Sequence, residues 1–206
     1  MPGPSRRTLA RRLESVEDFS EPSVSLEQYL TPADLAAHVC HLAGLQGDLD
    51  RPVLDLGTGT GMLAIGASLA GAERVVGVDV DPDALALARR NAVTVGAGTI
   101  DWLRGDALRP PFALRDATVV SNPPFGAQHG NRNADRAFLE TTAEIATVSY
   151  TIHNEDSRSF VESFAADHGA TVTHAFRAPL PIGNRFEFHT EREQTLDAEV
   201  FRIEWR

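Results

Sequence analysis

Short apolar runs alternate with longer amphipathic segments from Arg51 to the end of the chain. The apolar runs predict strands at 52–56, 74–79, 99–104, 116–121, 147–152, 171–177 and 195–205. The amphipathic segments predict helices at 61–70, 82–95, 134–146 and 155–168. This alternation predicts an α/β fold, with a seven-stranded, mainly parallel sheet and helices on both of its faces. The last strand alternates apolar with polar residues and is expected to pair antiparallel.

The segment before Arg51 is predicted to be helical. A helix over 5–18 would carry an apolar face, formed by Leu9, Leu13 and Val16. A second helix is expected to begin at Thr31, which suits the N-cap position because Pro32 and an acidic residue follow it.

Near the other end of the chain, the segment 178–194 contains several prolines and is predicted to be a loop or a hairpin arm. No repeat or linker divides the chain. We therefore expect a single domain over 1–206, with a helical extension over 1–50 and a Rossmann-like core over 51–206.

The charge of the chain is unusual in its composition. The 206 residues carry a formal net charge of −10, and lysine is absent, so arginine supplies all of the strongly basic side chains. An acidic surface without lysine resembles that of proteins from salt-loving archaea. In molar salt the Debye length is only about 3 Å, so the negative charge does not exclude a nucleic-acid partner.

Three further features bear on where the protein is found and on whether it binds a metal. Cys40 is the only cysteine, which excludes an internal disulfide and suits a cytoplasmic protein. No apolar run is long enough to span a membrane, and the first residues lack the apolar core of a secretory signal. His38 and His41 lie one helical turn apart without an evident third ligand, so no metal site is predicted.

The sequence PVLDLGTGTGMLAI at 52–65 combines an apolar strand, a glycine-rich turn and the start of a helix. Gly57, Gly59 and Gly61 would allow a ligand to approach bare backbone. The glycines alone leave two cofactors open, a nicotinamide or flavin dinucleotide and S-adenosylmethionine. An acidic residue beside the loop favours the cationic groups of S-adenosylmethionine, and Asp55 could serve there. The order D-x-G-x-G-x-G resembles the first motif of class I methyltransferases.

Two more acidic residues follow predicted strands. Asp79 ends the second strand, where a carboxylate can accept hydrogen bonds from both ribose hydroxyls of either cofactor. Asp106 follows the third strand, and in methyltransferases an acidic residue there accepts from the adenine amino group, with Ala107 alongside. Asp81 is predicted to be a helix N-cap rather than a ligand contact. Acidic residues at the ends of neighbouring strands favour a cofactor site over a set of unrelated turns.

The fourth predicted strand is followed by a tetrapeptide, Asn122, Pro123, Pro124 and Phe125. Two prolines alone would indicate only a rigid turn. With asparagine before them and an aromatic after them, the side-chain oxygen of Asn122 and the carbonyl of Pro123 can each accept one N–H of an exocyclic amino group. The nitrogen lone pair would then face the cofactor methyl group, while Phe125 stacks on the base.

A D-x-G-x-G-x-G loop followed by N-P-P-F marks amino methyltransferases. Their acceptors are adenine N6, guanine N2, cytosine N4 or the glutamine side chain, and the adenine can lie in RNA or DNA. The glutamine enzymes commonly have N-P-P-Y, so Phe125 favours a nucleobase. A dinucleotide-dependent oxidoreductase is the alternative from a different class, and the tetrapeptide argues against it.

Segments within and beyond these motifs resemble the methyltransferase-like protein 5 family, archaeal and eukaryotic enzymes that methylate adenine N6 in small-subunit ribosomal RNA. They include LESVEDFSEP, EQYLT, GVDVDPDALALARRNA, SNPPFGAQ, YTIHN and RFEFH, and the likeness spans nearly the whole chain. The absence of lysine indicates a haloarchaeal type. The resemblance implies a Rossmann-like class I methyltransferase fold and methyl transfer from S-adenosylmethionine to RNA.

The resemblance also implies roles for individual residues. Gln28 and Thr31 would reach the methionine end of the cofactor. The remaining cofactor contacts would come from Gly57, Thr60, Met62, Asp79, Asp106, Ala107 and Asn122. The family's basic C-terminal cluster is absent here, so the resemblance does not identify which surface binds RNA. The N-terminal arginines, Arg6, Arg7, Arg11 and Arg12, are either a basic arm on a phosphate backbone or a solvated helix face.

A protein partner is implied as well, because members of this family bind a small zinc-carrying activator protein. The third strand is expected at the edge of the sheet, with Ile100 and Trp102 on one of its faces. An edge strand with an exposed tryptophan could add a partner strand. The alternative is that Trp102 packs beneath a helix.

Overall fold

The computed structural model describes residues 3–110, 116–124, 134–183 and 193–205. Its strands are β1 (Val53–Leu56), β2 (Val75–Asp79), β3 (Asp101–Arg104), β4 (Ala117–Ser121), β5 (Ala146–Asn154), β6 (Thr171–Gly183) and β7 (Glu193–Glu204). Its helices are α1 (Arg6–Leu13), α2 (Ala33–Leu45), α3 (Met62–Ala70), α4 (Pro82–Thr94), α5 (Ala134–Ile145) and α6 (Arg158–Asp167). A short 3₁₀ turn, Asp48–Asp50, precedes β1.

The seven strands form one sheet in the order β3-β2-β1-β4-β5-β7-β6. The first five strands pair in parallel, whereas β7 lies antiparallel between β5 and β6. Every residue of β1 and β4 is buried, as expected for central strands with helices on both faces. The predicted α/β fold, its mainly parallel sheet and its antiparallel last strand are therefore confirmed.

Two apolar clusters hold helices against the two faces of the sheet. One cluster joins α1, α2 and α3 to alternate residues of β1, β2, β4 and β5. The other joins α5 and α6 to the remaining strand residues, including Leu54 and Leu56 of β1. Because α1 and α2 contribute to the first cluster, the extension predicted over 1–50 packs on the core. The division of the chain at residue 50 stays a prediction.

The first helix is shorter than predicted, because α1 ends at Leu13 instead of continuing to residue 18. After that point the chain is held by the buried side chain of Asn91 on α4. Asn91 accepts a hydrogen bond from the backbone N–H of Glu17 (2.9 Å) and donates to the carbonyls of Glu17 and Thr60 (3.0 Å each). These long-range bonds replace the helical ones.

The start of α2 also differs from the prediction. The helix begins at Ala33, Pro32 occupies the N-cap position, and no side chain caps it. Thr31 is not the N-cap, because its hydroxyl oxygen instead accepts a hydrogen bond from the side chain of Asn122. Asp81, by contrast, caps α4 as predicted, accepting from the backbone N–H of Asp83.

The segment predicted as a loop or hairpin arm is a hairpin arm in its described part. β6 extends to Gly183 and pairs with β7 through its two prolines, Pro179 and Pro181. Prolines suit an edge strand such as β6, because a residue without an N–H can face the side that has no partner strand. The two prolines are two residues apart, so their nitrogens share one side of the strand. None of the helices in the described ranges has the length and apolarity required to cross a membrane.

Candidate active site

The glycine-rich loop links the end of β1 to the start of α3. Its three glycines, Gly57, Gly59 and Gly61, all have positive φ angles. The N–H groups of Gly57 and Thr58 both donate to the carbonyl of Val78 on β2 (2.9 Å each), which ties the loop to the neighbouring strand. Phe19 packs against Gly59, and Phe138 of α5 packs against Gly57. The loop is thus held from the N-terminal segment and from the opposite face of the sheet.

Asp55 lies beneath this loop and is only 1% exposed. One of its carboxylate oxygens accepts hydrogen bonds from the Thr58 hydroxyl (2.6 Å) and from the N–H of Ala64 (2.9 Å). Burial raises the pKa of Asp55 to about 7, although these two hydrogen bonds oppose the shift. A cation bound above the loop would favour the ionised carboxylate.

Asp79 ends β2 on the other side of the loop. It accepts hydrogen bonds from the N–H groups of Gly59 (2.8 Å) and Asp81 (3.0 Å), and burial raises its pKa. The Gln28 side chain donates to the second carboxylate oxygen of Asp81 (2.7 Å) and accepts from the N–H of Ser23 (2.8 Å). Gln28 therefore anchors the segment before α2 to the start of α4.

These elements surround one cleft at the carboxyl ends of β1 to β4. The predicted cofactor residues that line it are Gln28, Thr31, Asp55, Gly57, Gly59, Thr60, Met62, Asp79, Asp106, Ala107 and Asn122. Gly61 is the exception. A Cβ on Gly61 would lie 2.9 Å from the indole ring of Trp102 and 3.0 Å from the Ala88 methyl group. Gly61 therefore faces packed side chains, and its predicted contact with a cofactor finds no support in its position.

The residues after β4 form one end of the cleft. We call it the acceptor end, because the sequence predicts that the amino group to be methylated binds there. Asn122 donates from its side-chain nitrogen to the Thr31 hydroxyl (3.0 Å), while its side-chain oxygen is buried and has no hydrogen-bond partner. Pro124 lines the cleft and Pro123 is buried behind it. The predicted stacking residue Phe125 lies outside the described residues.

Several residues that line the cleft escaped the sequence analysis. They are Phe19, Leu26, Glu27, Tyr29, Thr58, Leu63, Val80, Leu108, Ala134 and Phe138. Most are apolar, and only the fold turns them toward the ligand cleft instead of the core. Leu26, Glu27 and Tyr29 lie within two residues of Gln28. Their closeness in sequence to a predicted cofactor contact is the one signal that could have identified them.

Trp102 is half-buried, and its ring packs inward on the sheet. Its indole ring lies so close to Gly77 of β2 that a Cβ there would be 2.6 Å away. Ile100 is buried in an apolar cluster against which the half-buried Trp102 packs, so the two residues share a face, as predicted. The contacts of the indole ring favour the packed alternative over the exposed one. The backbone of β3 remains an edge, since within the described ranges it pairs with β2 alone.

The N-terminal arginines do not act as one group. The Arg12 guanidinium donates to the carbonyls of Val95 (2.7 Å) and Gly96 (3.1 Å), beyond the end of α4. The other three, Arg6, Arg7 and Arg11, are exposed. The start of the chain lies against the last turn of α3, since a Cβ on Gly3 would be 3.1 Å from the Ala70 carbonyl oxygen. Because α3 begins at the cleft and runs away from it, these arginines lie at the end of the sheet opposite Asn122.

The arrangement defines a class of protein. A glycine loop, carboxylates after successive parallel strands, and an Asn-Pro-Pro sequence with a free buried acceptor meet in one cleft. Together with the sheet order, they define a Rossmann-like class I methyltransferase. Among the described residues, no cluster of three or more histidine, cysteine or acidic side chains could hold a metal ion.

Comparisons with known proteins identify the family. Residues 34–148 match the model of the methyltransferase small domain. Over 204 residues the chain is 32% identical to the rRNA N(6)-adenosine-methyltransferase Mettl5 of Drosophila melanogaster, covering 96% of this chain and 95% of that one. An uncharacterized protein of Methanocaldococcus jannaschii is 34% identical over 97% of this chain and 94% of its own. The chain therefore belongs to the METTL5-like group of the methyltransferase small-domain family.

A solved structure supports the same assignment. A crystal structure from Pyrococcus horikoshii, provisionally described as an RNA methyltransferase, superposes with a TM-score of 0.85 at 35% identity and covers 97% of both chains. The fold and the family together exclude the oxidoreductase alternative. The protein is a methyltransferase.

Proposed function

We propose that the protein transfers a methyl group from S-adenosylmethionine to N6 of an adenine in small-subunit ribosomal RNA. The observation that carries the proposal is the side-chain oxygen of Asn122, which is buried and without a partner at the acceptor end of the cleft. A buried acceptor without a donor is costly unless a ligand supplies one. An exocyclic amino group supplies that donor.

The cofactor end of the cleft fits S-adenosylmethionine. When bound, this cofactor supplies an electrophilic methyl group on a sulfonium. Asp55 lies beneath the loop and would favour the positive charge of the methionine end. Asp79 ends β2, where it would accept from the ribose hydroxyls, and Asp106 after β3 would accept from the adenine amino group.

The acceptor end would position the target nitrogen. The Asn122 oxygen and the Pro123 carbonyl would each accept one N–H, which directs the nitrogen lone pair toward the methyl group. Phe125 would stack on the base. The reaction is an in-line displacement that depends on positioning, so no general base is assigned.

The relatives support this choice of acceptor over its alternatives. The Drosophila melanogaster relative, which matches over nearly the full length of both chains, bears the name rRNA N(6)-adenosine-methyltransferase. Release factor glutamine methyltransferase of Enterococcus faecalis is also similar, but over only 39% of this chain. The match over nearly the full length of both chains therefore supports adenine in ribosomal RNA over glutamine as the acceptor.

The test is a transfer assay with labelled S-adenosylmethionine and naked small-subunit RNA, tRNA, DNA or a glutamine-containing protein as acceptor. We expect N6-methyladenosine in ribosomal RNA, and we expect Asn122→Ala to lower the rate at least about 100-fold while the protein still folds and binds cofactor. Methylation of guanine, DNA or glutamine by the wild-type protein would contradict the proposed acceptor. Full activity of Asn122→Ala would contradict the mechanism.

We further propose that a small zinc-carrying activator adds a strand to the outer edge of β3. The support is the edge itself, since the N–H of Gly105 donates inward to Asp79 and the alternation of a strand places the N–H of Arg104 outward. Arg104→Pro removes that donor and should abolish capture of the co-expressed activator, whereas Arg104→Ala keeps it. Equal capture by both variants would reject this site.

We also propose a cytoplasmic location in an organism with high internal salt. The support is the composition, namely a net charge of −10, no lysine and a single cysteine. That cysteine, Cys40, is fully buried against α3, and burial raises its pKa far above the usual range.

A further inference from the structure

The segment before α2 reaches the acceptor end of the cleft through one hydrogen bond. Thr31 precedes α2, is 6% exposed and accepts from the Asn122 side-chain nitrogen at 3.0 Å. Its hydroxyl is free for this contact because α2 has no side-chain cap. Thr31 and Asn122 are separated by 91 positions in the chain, so only the fold joins them.

An asparagine amide can face a ligand in either of two ways. Its oxygen and nitrogen ends have nearly the same shape, but one accepts hydrogen bonds and the other donates two. The methyl-transfer geometry requires the oxygen end, because the target amino group is itself a donor. If the amide turned over, it would present N–H groups to an N–H group, and the target nitrogen would be repelled.

The Thr31 hydroxyl can accept from the amide nitrogen or donate to the amide oxygen, so the preferred orientation depends on which groups the contact leaves without a partner. With its nitrogen bonded to Thr31, Asn122 leaves its side-chain oxygen as a buried acceptor that faces the cleft. Turned over, it would leave both N–H donors of the amide unpaired in the same buried space. Buried N–H groups without a partner are rarer in proteins than under-satisfied carbonyl oxygens.

Thr31 is itself held from the other end of the cleft. The Gln28 side chain bridges Ser23 to Asp81, and Asp81 caps α4 directly after the strand that ends in Asp79. The segment from Ser23 to Thr31 is thus anchored at the cofactor side and contacts the acceptor side.

We propose that Thr31 is a positioning residue, which orients the Asn122 amide so that its oxygen receives the target amino group. This inference rests on the proposed function, and it assigns the Thr31 hydroxyl to Asn122 instead of to the cofactor contact that the sequence resemblance implies. A group that orients another by one hydrogen bond affects the reacting geometry more than ligand affinity.

Two substitutions of Thr31 test the role. Thr31→Val keeps the shape and removes the hydroxyl, and we expect kcat to fall about 10- to 100-fold while the Kd for S-adenosylmethionine stays within about threefold. Thr31→Ser restores the hydroxyl and should recover most of the lost kcat. Thr118→Val removes another buried threonine hydroxyl, which donates from β4 to the backbone carbonyl of Asp48 in the 3₁₀ turn, and should leave kcat unchanged.

Two outcomes would overturn the proposal. One is an unchanged kcat in Thr31→Val, and the other is a large rise in cofactor Kd with normal kcat at saturation, which would make Thr31 a cofactor contact only. A second measurement is independent of the acceptor, because it follows hydrogen exchange of the Asn122 side-chain amide by NMR. Protection in wild type and Thr31→Ser, lost in Thr31→Val, is expected even if the acceptor is not RNA. Equal exchange in all three proteins would reject the contact.

Discussion

At the scale of single residues, Asp55 shows how burial prepares a carboxylate for a cationic ligand. The side chain is held by Thr58 and Ala64, and desolvation is the largest influence on its pKa of about 7. Because this pKa lies above the unfolded value, the contribution of Asp55 to stability is present at low pH and is lost as pH rises through about 7. A bound cation reverses that preference by stabilising the ionised form.

Cofactor binding should therefore depend on pH near neutrality. We expect the Kd for S-adenosylmethionine to rise as pH falls below about 7, toward a tenfold change per pH unit, with proton release on binding. Calorimetric titration in buffers of different ionisation enthalpy measures both quantities. Asp55→Asn should bind more weakly at pH 8 and lose the pH dependence. A flat profile in the wild-type protein would show that Asp55 stays ionised without ligand.

At the scale of elements, the edge strand β3 supports the glycine loop through Trp102. The indole ring covers Gly61 at the start of α3 and Gly77 in the middle of β2, where no larger residue would fit. Both glycines are required by this close approach, and Gly61 also by its φ of +83°. An element at the margin of the sheet thus stabilises the centre of the cofactor cleft.

Removing the Trp102 ring should lower both the stability of the protein and its affinity for the cofactor, more than truncating a surface side chain does. Trp102→Ala should lower the free energy of unfolding by about 2–4 kcal/mol and raise the cofactor Kd, because the loop loses its packing. Trp102→Phe should have a smaller effect on both. Val93→Ala, an exposed apolar residue of α4 at 82% exposure, is the control for surface changes. Chemical unfolding and cofactor titration measure the two effects, and an unchanged Kd in Trp102→Ala would contradict the coupling.

At the scale of the whole molecule, the net charge of −10 opposes the compact state when salt is low. Raising ionic strength shortens the Debye length from about 10 Å at 0.1 M to about 3 Å at 1 M, which screens this repulsion. The few close ion pairs that are well buried, such as Arg202 with Asp48 at 2.8 Å, are screened much less.

The protein should consequently gain stability in salt. We expect the free energy of unfolding, measured by heat or urea at matched conditions, to increase between about 0.1 M and 2 M KCl. A free energy of unfolding that is unchanged or lower in 2 M KCl would contradict the expected screening of the net charge.

The sequence alone determined the order and kind of the elements from β1 onward, the glycine loop and the acidic residues after the strands. Those features depend on local patterns, namely the spacing of apolar residues and the positions of glycine and proline, and such patterns can be recognised within a short stretch of sequence. The N-P-P-F tetrapeptide belongs to the same group, because its chemistry lies within four adjacent side chains and carbonyls.

Only the tertiary structure decided which side chains meet across the chain. It ended α1 at Leu13, directed Trp102 inward, turned Gly61 from the cleft and joined Thr31 to Asn122. No local pattern encodes these contacts, since each depends on how distant segments pack and on which polar group lies within reach of another. The orientation of the Asn122 amide is therefore a property of the folded chain and not of its motif.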